Sequence, residues 1–276
     1  MEEKMRVAYS GAEGAFAWAA AKRLFPNAEM RACPDFTAAY SAVETGECAR
    51  AVLPIENSFA GDVGQVMDLL FFGSLFVCGV CDLPVRHDLL SVRGAVLEDI
   101  KTVVSHPQAL WQCASFIRSH GFIAREEVNT ALAARMVAEC GDKSVAALAS
   151  AEAASLYGLD TLACSVQDSE DNVTRFAVLK REEESDRAHC GQFILMLTTK
   201  NEAGALARVL QELGNGGFNL RAIKSRPTKA LKWEYYFYLE GEGDIFSAGG
   251  QETLARLSEL CMSVRLAGSI RSEILL

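Results

Sequence analysis

The sequence has 276 residues, half of them apolar, and a formal net charge of −9. This length is enough for two or three packed units. A chain this acidic has no overall field that attracts nucleic acid or anionic lipid, so we expect neither a nucleic acid nor a membrane as a partner. If the ligand is an anion, arginine side chains and helix N-termini must supply positive potential at the site itself.

The N-terminal residues and the cysteines bear on the compartment. Residues 1–6 are charged and contain no apolar segment, which predicts that a secretory signal is absent. The longest mostly apolar run, residues 69–81, is shorter than the roughly 20 residues of a membrane span. The nine cysteines form no paired framework, which favours reduced thiols in the cytoplasm. Cys78 and Cys81 have CxxC spacing without a second pair, so we expect buried strand cysteines rather than a metal or redox site.

Strands and helices alternate in the pattern of the first 160 residues. Short apolar runs indicate strands at residues 7–9, 51–55, 75–80, 102–104 and 144–148. Apolar residues at helical spacing indicate helices at residues 15–24, 36–43, 63–70, 107–120, 130–140 and 150–158, several of them with a capping residue at the start or a glycine at the end. This alternation predicts α/β layers with mostly parallel sheets.

The pattern changes after residues 180–189, which carry seven charges in ten residues and are typical of a linker. A strand at 192–199, a helix ending at Gly216, strands at 218–224 and 233–240, a helix around Leu257 and a strand at 262–267 follow. That order is the βαββαβ pattern of a ferredoxin-like unit. We therefore expect one region at residues 5–181 and a second at 190–276.

Four polar clusters lie at the ends of predicted elements, where α/β folds bind ligands. They are Gly11–Gly14, Glu56–Ser58, Ser105–Gln108 and Asn172–Phe176. The glycines would let a carboxylate approach a helix N-terminus, and Arg175 could clamp a carboxylate through two hydrogen bonds. Each cluster also has an ordinary structural explanation: a turn, a capped helix start, a capping histidine and a surface ion pair, respectively. The residues alone predict an α/β protein that binds a small carboxylate, and they leave its reaction open.

Together these clusters resemble the motifs of the monofunctional prephenate dehydratases, from about residue 7 to the C-terminus. IENSxxGxV is matched at residues 55–63, SHPQALxQC at 105–113, NTAxAA at 129–134, YGL at 157–159 and NxTRF at 172–176. The second region resembles an ACT regulatory domain through Gly204–Leu206 and Lys224–Pro227. No segment resembling chorismate mutase precedes residue 7, so we do not expect the bifunctional form.

The resemblance implies a catalytic region of two subdomains, similar to periplasmic binding proteins, with the active site between them. The chain would cross between the subdomains near residue 80 and return near 165. The implied reaction removes the ring carboxylate and the C4 hydroxyl of prephenate to give phenylpyruvate, without metal or cofactor. Thr174 would give a hydrogen bond to the departing oxygen. Glu56 or a water held by the cluster would be the acid, with Asn57 beside it.

The same resemblance implies the remaining site residues. Arg175 would clamp the pyruvyl carboxylate, and neutral groups would complete a substrate-binding set of Ser58, Ser105, Gln108, Asn129, Thr130, Phe176 and Gly14. L-Phenylalanine is the implied allosteric effector, with a binding set of Gly204, Ala205, Leu206, Asn219, Ser225, Arg226 and Pro227. Lys224 stands where the family usually has glutamate, which leaves phenylalanine feedback open.

A homodimer or homotetramer is also implied, because ACT domains of this family pair with one another. Two other functions stay open from the sequence. The first is an arogenate dehydratase, which performs the same chemistry on the aminated substrate. The second is a non-enzymatic module that binds a small carboxylate. No residue of the single sequence separates prephenate from arogenate.

Overall fold

The computed structural model of the protein describes residues 4–181, 190–228 and 234–270, and the backbone of 274–275. Residues 182–189 of the expected linker, and Trp233 at the start of one predicted strand, lie outside the described residues. The described strands form one eleven-stranded and one five-stranded sheet. The confirmed fold class is a two-subdomain α/β region followed by a βαββαβ unit.

The first subdomain contains one half of the large sheet, in the order β5 (Phe76–Pro84), β11 (Val173–Lys180), β3 (Arg50–Asn57), β1 (Arg6–Ser10) and β2 (Glu29–Cys33). Strand β1 is parallel to both neighbours, but β11 runs antiparallel to β3 and β5, so the sheet is mixed rather than mostly parallel. Along β3, Val52 packs towards α1 and Leu53 towards α2 and α3, because successive strand residues face opposite sides. The elements are β1 (Arg6–Ser10), α1 (Phe16–Leu24), β2 (Glu29–Cys33), α2 (Phe36–Glu44), β3 (Arg50–Asn57), β4 (Gly61–Asp62), α3 (Gly64–Phe72), β5 (Phe76–Pro84) and β11 (Val173–Lys180).

The second subdomain is built on the five-stranded sheet, in the order β10-β6-β9-β7-β8. The predicted helix at 107–120 is wrong as one element, because the backbone at Cys113 leaves the helical region and divides it into two helices. Cys113 is fully buried in the core beneath them. The elements are β6 (Asp88–Ser91), a 3₁₀ turn (Leu97–Asp99), β7 (Thr102–Ser105), α4 (Pro107–Gln112), α5 (Ala114–Ser119), β8 (Ile123–Glu126), α6 (Thr130–Cys140), β9 (Val145–Ala149), α7 (Ala151–Tyr157) and β10 (Asp160–Ala163).

Two chain segments connect the subdomains. The outgoing segment is residues 85–87, somewhat later than the expected crossing near 80 because β5 continues to Pro84. The returning segment is residues 164–172. Val85 donates its N–H to the carbonyl of Asn172 at 2.7 Å, and Val166 donates to the carbonyl of His87 at 2.8 Å. These bonds hold the two crossings side by side at the base of the cleft.

The C-terminal unit, which we use below for residues 190–270, has the predicted βαββαβ order. One face of its sheet carries the two helices, and the other packs on the first subdomain. Tyr236 stacks on Phe71 of α3 with ring centroids 4.1 Å apart. A parallel bridge from Gly268 to Val77 joins this sheet to β5. The elements are β12 (Gln192–Thr198), α8 (Ala205–Asn215), β13 (Asn219–Pro227), β14 (Tyr235–Glu242), α9 (Ala248–Leu260) and β15 (Ser263–Ile270), with β16 (Ile274–Leu275) beside β5.

Candidate active site

A cavity of about 380 Å³ lies between the two subdomains. This volume suits a small-molecule substrate. Both subdomains and both crossings contribute to its walls, which combine aromatic and aliphatic surface with amide, hydroxyl and imidazole groups. The lining residues are Ala15, Phe16, Phe36, Pro54, Asn57, Ala60, Gly61, Asp62, Val63, Val85, His87, His106, Gln108, Ala109, Gln112, Asn129, Thr130, Asn172 and Thr174.

Five of the site residues predicted from sequence line this cavity: Asn57, Gln108, Asn129, Thr130 and Thr174. Asn57 and Thr174 are cross-strand partners at the ends of β3 and β11, so their side chains share one face of the sheet. Asn129 caps α6 by accepting the N–H of Leu132 at 2.8 Å, which places Thr130 at the first helical position. The cleft therefore brings together motifs that are distant in the chain, and Asn57 and Thr174 are 117 positions apart.

Asn57 is held by a hydrogen-bond pattern that fixes the orientation of its amide group. Its Oδ1 accepts the backbone N–H groups of Phe59 and Ala60 at 3.1 and 2.9 Å. Backbone nitrogens can only donate, so Oδ1 is the acceptor end and Nδ2 is the donor end. Nδ2 lies 3.0 Å from Oγ1 of Thr174 and 2.8 Å from Oδ1 of Asn172. Because the Thr174 oxygen accepts this bond, its own proton is available to a ligand.

The orientation of the Asn57 amide also fixes the orientation of a chain of polar side chains that follows it: Asn172, Gln112 and His87. Asn172 accepts from Asn57 through Oδ1, so its Nδ2 donates to Oε1 of Gln112 at 3.0 Å. Oε1 of Gln112 also lies 3.0 Å from Nε2 of His87, which must then carry the ring proton. Two backbone N–H groups in the β3–β4 turn thus set the tautomer of a histidine in the outgoing crossing.

His87, Gln112 and Asn172 are site residues that the sequence analysis did not select. His87 is 2% exposed, and its ring meets that of Phe16 edge-on with centroids 5.6 Å apart. Burial lowers the pKa of His87, against smaller opposing effects of Gln112 and Asp88, which favours the neutral ring. Asn172 and Gln112 lie inside the NxTRF and SHPQALxQC motifs, which is the signal that could have found them.

His106 also lines the cavity and caps α4. Its Nδ1 accepts the N–H of Gln108 at 3.2 Å. The ring proton of neutral His106 therefore resides on Nε2. This capping role is the ordinary structural explanation expected from the sequence for the Ser105–Gln108 cluster, and it leaves one imidazole N–H donor for the site.

Glu56 and Arg175 lie on the face of the sheet opposite Asn57 and Thr174, because they are the adjacent residues of the two strands. Neither lines the cavity. Oε2 of Glu56 is 2.7 Å from Nζ of Lys224 in the C-terminal unit. Arg175 pairs with Asp82 at 3.5 Å and with Glu240 at 3.4 Å. In this geometry neither side chain reaches the cavity, in which Glu56 was expected as the acid and Arg175 as the clamp of the substrate carboxylate.

The other predicted substrate-binding residues have structural contacts and do not line the cavity. Ser58 ties the strands by accepting the N–H of Val173 at 3.0 Å and donating to the carbonyl of Asp171. Ser105 is fully buried and donates to the carbonyl of Leu148 at 2.6 Å. Phe176 belongs to the core under α1. Gly14 has φ +88°, a conformation that favours glycine, and its carbonyl accepts from Ser150 across the cleft at 3.3 Å.

No lysine or arginine is among the described residues that line the cavity. Positive potential is instead available from helix N-termini, since those of α1, α4 and α6 border it. The N-cap of α1 is Ala15, which makes no side-chain hydrogen bond. The first-turn N–H groups of α1 therefore have no side-chain acceptor at that cap.

The predicted effector residues are divided between two places. Ala205 and Leu206 line a hollow of about 190 Å³ with Glu234, Tyr235, Phe237, Met262 and neighbours in residues 199–202. Gly204 precedes them as the N-cap of α8 with φ +80°.

The other predicted effector residues lie away from this hollow. Arg226 contacts Asp68 of α3 at 3.1 Å and the Tyr236 hydroxyl at 3.0 Å. Asn219 donates to Glu242 at 2.9 Å. Ser225 and Pro227 pair with Phe237 and Tyr235 in the β13–β14 ladder.

Cys78 and Cys81 lie in β5, as the sequence analysis expects. Burial raises the pKa of Cys81 to about 12, so its thiol stays protonated near neutrality. Within residues 4–181, 190–228 and 234–270, no group of three or more histidine, cysteine, aspartate or glutamate side chains is placed to hold a metal ion. No described helix is long and apolar enough to cross a bilayer.

Residues 7–184 match the family model described as prephenate dehydratase. This match covers more than half of the chain and includes every residue of the cavity wall. The chain belongs to the prephenate dehydratase family. The family motifs provide Asn57, Thr174 and the helix starts at the cleft, as the sequence resemblance implies.

Similar proteins support this membership along the whole chain. Arogenate dehydratase/prephenate dehydratase 1 of Arabidopsis thaliana is 37% identical over 284 residues, covering 97% of this chain and 72% of the plant protein. The prephenate dehydratase of Arthrobacter aurescens, solved in complex with L-Phe, has a TM-score of 0.88 and 27% identity over 97% of this chain and 90% of that one. A structure described as GqqA, a novel type of quorum quenching acylases, has a TM-score of 0.90 and 30% identity over 97% of this chain and 98% of that one.

Proposed function

We propose that this chain converts prephenate to phenylpyruvate, carbon dioxide and water in the cavity between its subdomains, as a hydro-lyase of the phenylalanine biosynthetic route. Family membership supports the reaction. The observation that carries the site is the Thr174 hydroxyl, whose oxygen accepts a hydrogen bond from Asn57 and whose proton is therefore free to reach a ligand.

In the proposed step the bond between ring carbon C1 and its carboxylate breaks, and carbon dioxide departs. The electron pair moves through the ring, which becomes aromatic, and expels the C4 oxygen. Thr174 donates a hydrogen bond to that oxygen as its negative charge develops, and solvent supplies the proton that makes it water. A threonine hydroxyl stays neutral throughout, so Thr174 stabilises charge rather than acting as an acid reservoir.

We propose that the substrate carboxylates bind against helix N-termini and neutral donors rather than against Arg175. The uncapped start of α1 and the start of α6 border the cavity, and helix N-termini attract anions. Gln108, Thr130 and the Nε2–H of His106 offer further donors from the second subdomain. The lack of a fully charged clamp would leave the reacting carboxylate weakly solvated, which favours its loss.

Arogenate is the second candidate substrate. The plant relative above is named for both activities, and the two substrates differ only in a keto or an amino group on the side chain. The kcat/KM values for prephenate and for arogenate decide which of the two is the preferred substrate.

The contacts of Thr174 do not favour it as the nucleophile of an acylase, the activity for which one solved relative is described. Acyl hydrolysis needs a nucleophile activated by an adjacent base. Among the described cavity residues, the Thr174 oxygen is bonded to the amide of Asn57 and to no histidine or carboxylate.

We further propose that the C-terminal unit is an ACT domain that binds L-phenylalanine. A similar structure was solved in complex with L-Phe, and Ala205 and Leu206 line a hollow of suitable size for an amino acid side chain. Calorimetric titration with L-phenylalanine tests this. Leu206→Asp should abolish binding, whereas Leu206→Met should retain it. Equal binding by both variants would place the effector elsewhere.

We also propose a homo-oligomer in the cytoplasm. Nine free cysteines suit a reducing compartment. Exposed Ile223 on the edge strand β13 and Tyr235 on the neighbouring strand β14 offer apolar contact area for a second copy. Light scattering on the purified protein should give a mass of two or four chains, and a single-chain mass would contradict the proposal.

The proposed reaction is tested by incubating the purified protein separately with prephenate and with arogenate at neutral pH. Phenylpyruvate is followed by its alkaline absorbance, and phenylalanine by chromatography. Turnover of prephenate with the higher kcat/KM supports the proposal. Preference for arogenate would replace the substrate, and no turnover of either would remove the lyase function.

A further inference from the structure

The turn that carries Asn57 is tied to the C-terminal unit from the side away from the cavity. Glu56 and Asp62 are cross-strand partners at the base of this turn, where β3 pairs with β4. They share the face opposite Asn57, because successive strand residues alternate between the two faces. Nζ of Lys224, on β13, lies 2.7 Å from Oε2 of Glu56 and 2.5 Å from Oδ1 of Asp62. One ammonium group of the C-terminal unit therefore bridges the two strands beside the turn.

This Lys224 bridge compensates two carboxylates that otherwise oppose each other. Like charges on directly opposite residues of an antiparallel pair destabilise the pairing. The Lys224 side chain is 15% exposed, and those of Glu56 and Asp62 are 40% and 32% exposed, so water screens the three charges only in part. Strand β4 has two residues and offers few backbone hydrogen bonds to resist the repulsion. The closed base of the turn therefore depends on the lysine charge.

The packing of the C-terminal unit determines the position of Lys224. Strand β13 carries Lys224 and Arg226 on the same face, two residues apart. Arg226 contacts Asp68 of α3 and the hydroxyl of Tyr236. Tyr238 is the cross-strand partner of Lys224, and its ring centre lies 5.9 Å from the ammonium. The lysine is thus held at the base of the turn by the C-terminal unit.

The bridged turn in turn determines where the Asn57 amide lies. Oδ1 of Asn57 accepts the N–H groups of Phe59 and Ala60 inside the turn. Nδ2 of the same amide lies 3.0 Å from Oγ1 of Thr174. If the strands separate at the base of the turn, the amide moves with the turn and this bond lengthens. A shift that leaves the fold intact is then enough to slow a reaction that depends on an aligned hydroxyl donor.

We infer that Lys224 is a positioning residue for the reaction at Thr174. It holds Glu56 against Asp62 and thereby keeps the Asn57 amide against the threonine oxygen. Lys224 does not line the cavity, so it acts through the turn and not on the substrate. The kinetic part of this inference rests on the proposed function.

The expected effect is a fall in kcat with little change in KM. Loss of the bridge leaves a partly exposed like-charge pair, and we expect kcat for prephenate to fall by about three- to tenfold. KM should change by less than about twofold, because the bridge contributes to the alignment of Thr174 and makes no contact with bound substrate.

The kinetic experiment measures kcat and KM for prephenate in the full-length protein without L-phenylalanine. Lys224→Met removes the charge and retains the side-chain length, and Lys224→Arg restores a cation. The Asp62→Asn variant and its combination with Lys224→Met test whether the lysine acts by relieving repulsion. Asp68→Asn is the matched control, because it weakens another contact of the C-terminal unit, with α3, and leaves the bridge in place.

We expect Lys224→Met to lower kcat, Lys224→Arg to retain most of it, and Asp68→Asn to leave it unchanged while lowering the melting temperature. In the Asp62→Asn background, Lys224→Met should lower kcat by less than about twofold, since no like-charge pair remains. An unchanged kcat in Lys224→Met would overturn the inference. So would an equal fall in the Asp62→Asn background, or an equal fall in Asp68→Asn, which would indicate general loosening.

A second readout does not require turnover. Hydrogen exchange at the backbone N–H groups of Phe59 and Ala60 reports on the bonds to Asn57 inside the turn. Exchange at these two groups should be at least about threefold faster in Lys224→Met than in wild type, and unchanged in Asp68→Asn. Equal exchange rates in Lys224→Met and wild type would overturn the bridge itself. Absence of wild-type turnover with faster exchange in Lys224→Met would remove the proposed function and leave the bridge standing.

Discussion

The amide nitrogen of Asn57 lies 3.0 Å from the hydroxyl oxygen of Thr174, across the antiparallel pair of β3 and β11. The two residues are 117 positions apart in the sequence and meet only because β11 returns to the first subdomain between β3 and β5. The bond determines which way the threonine proton points. The chemistry proposed for Thr174 therefore depends on Asn57 being a donor.

Replacing Asn57 by aspartate changes that donor into an acceptor with little change in shape. The carboxylate can still accept the N–H groups of Phe59 and Ala60, so the turn is retained. Thr174 would then donate its proton to residue 57 rather than to the substrate. We expect kcat for prephenate to fall by roughly 10- to 1000-fold with a small change in KM. Steady-state kinetics check this, and an unchanged kcat would show that the orientation of Thr174 is irrelevant.

His87 should make stability depend on pH. Its pKa is lowered by burial in the native state, whereas in the unfolded chain it takes up a proton below about pH 6.5. The unfolded state therefore binds more protons as the pH falls through that value, and the native state loses stability, by at most about 1.4 kcal/mol per pH unit. The stability advantage of wild type over His87→Asn should shrink between pH 7.5 and pH 5.5.

Urea unfolding of both proteins across that range measures the difference. The other three histidines are common to the two proteins, so their contributions cancel in the comparison. A stability difference that stays constant, or that grows as the pH falls, would contradict a neutral buried His87.

The contact between the C-terminal unit and α3 should contribute to stability through Asp68. Its carboxylate accepts from Arg226 at 3.1 and 3.3 Å and from the Tyr236 hydroxyl at 2.7 Å, and its side chain is 15% exposed. Asp68→Asn leaves a partly buried guanidinium without its counter-charge. We expect a loss of about 1–3 kcal/mol in the free energy of unfolding.

An exposed ion pair provides the matched control. Glu252 pairs with Arg256 one turn along α9, and its side chain is 66% exposed. Glu252→Gln should change the free energy of unfolding by less than about 0.5 kcal/mol. Equal effects of the two substitutions in chemical denaturation would show that the Asp68 contact adds nothing.

Much of the fold follows from local patterns in the sequence. The strand at 51–55 is predicted because its residues form a short apolar run. The helices at 36–43 and 130–140 are predicted because each has apolar residues at helical spacing and a capping residue or glycine. The edge strands β2 and β8 were not predicted, since most of their side chains are exposed and no apolar period marks them. The break at Cys113 was missed because a buried, apolar cysteine fits a continuous helix pattern equally well.

The candidate site was predicted only in part, and the reason is strand geometry. The family motifs indicate Glu56 with Asn57, and Thr174 with Arg175, as site residues. In each case the two residues are neighbours in the sequence. Successive residues of a strand point to opposite faces, so one member of each pair reaches the cavity and the other meets the C-terminal unit. Which member does so depends on the register of β3 and β11 and on a bulge beside Arg175, which no local pattern reveals.

The most direct measurement compares wild type with Thr174→Val and Thr174→Ser in turnover of prephenate. Valine keeps the shape of threonine without the hydroxyl, and serine keeps the hydroxyl without the methyl group. We expect kcat to fall on the order of 100- to 1000-fold for Thr174→Val, with unchanged melting temperature, and by less than about tenfold for Thr174→Ser. A Thr174→Val enzyme that dehydrates prephenate at the wild-type rate would contradict the role of this hydroxyl and the site built around it.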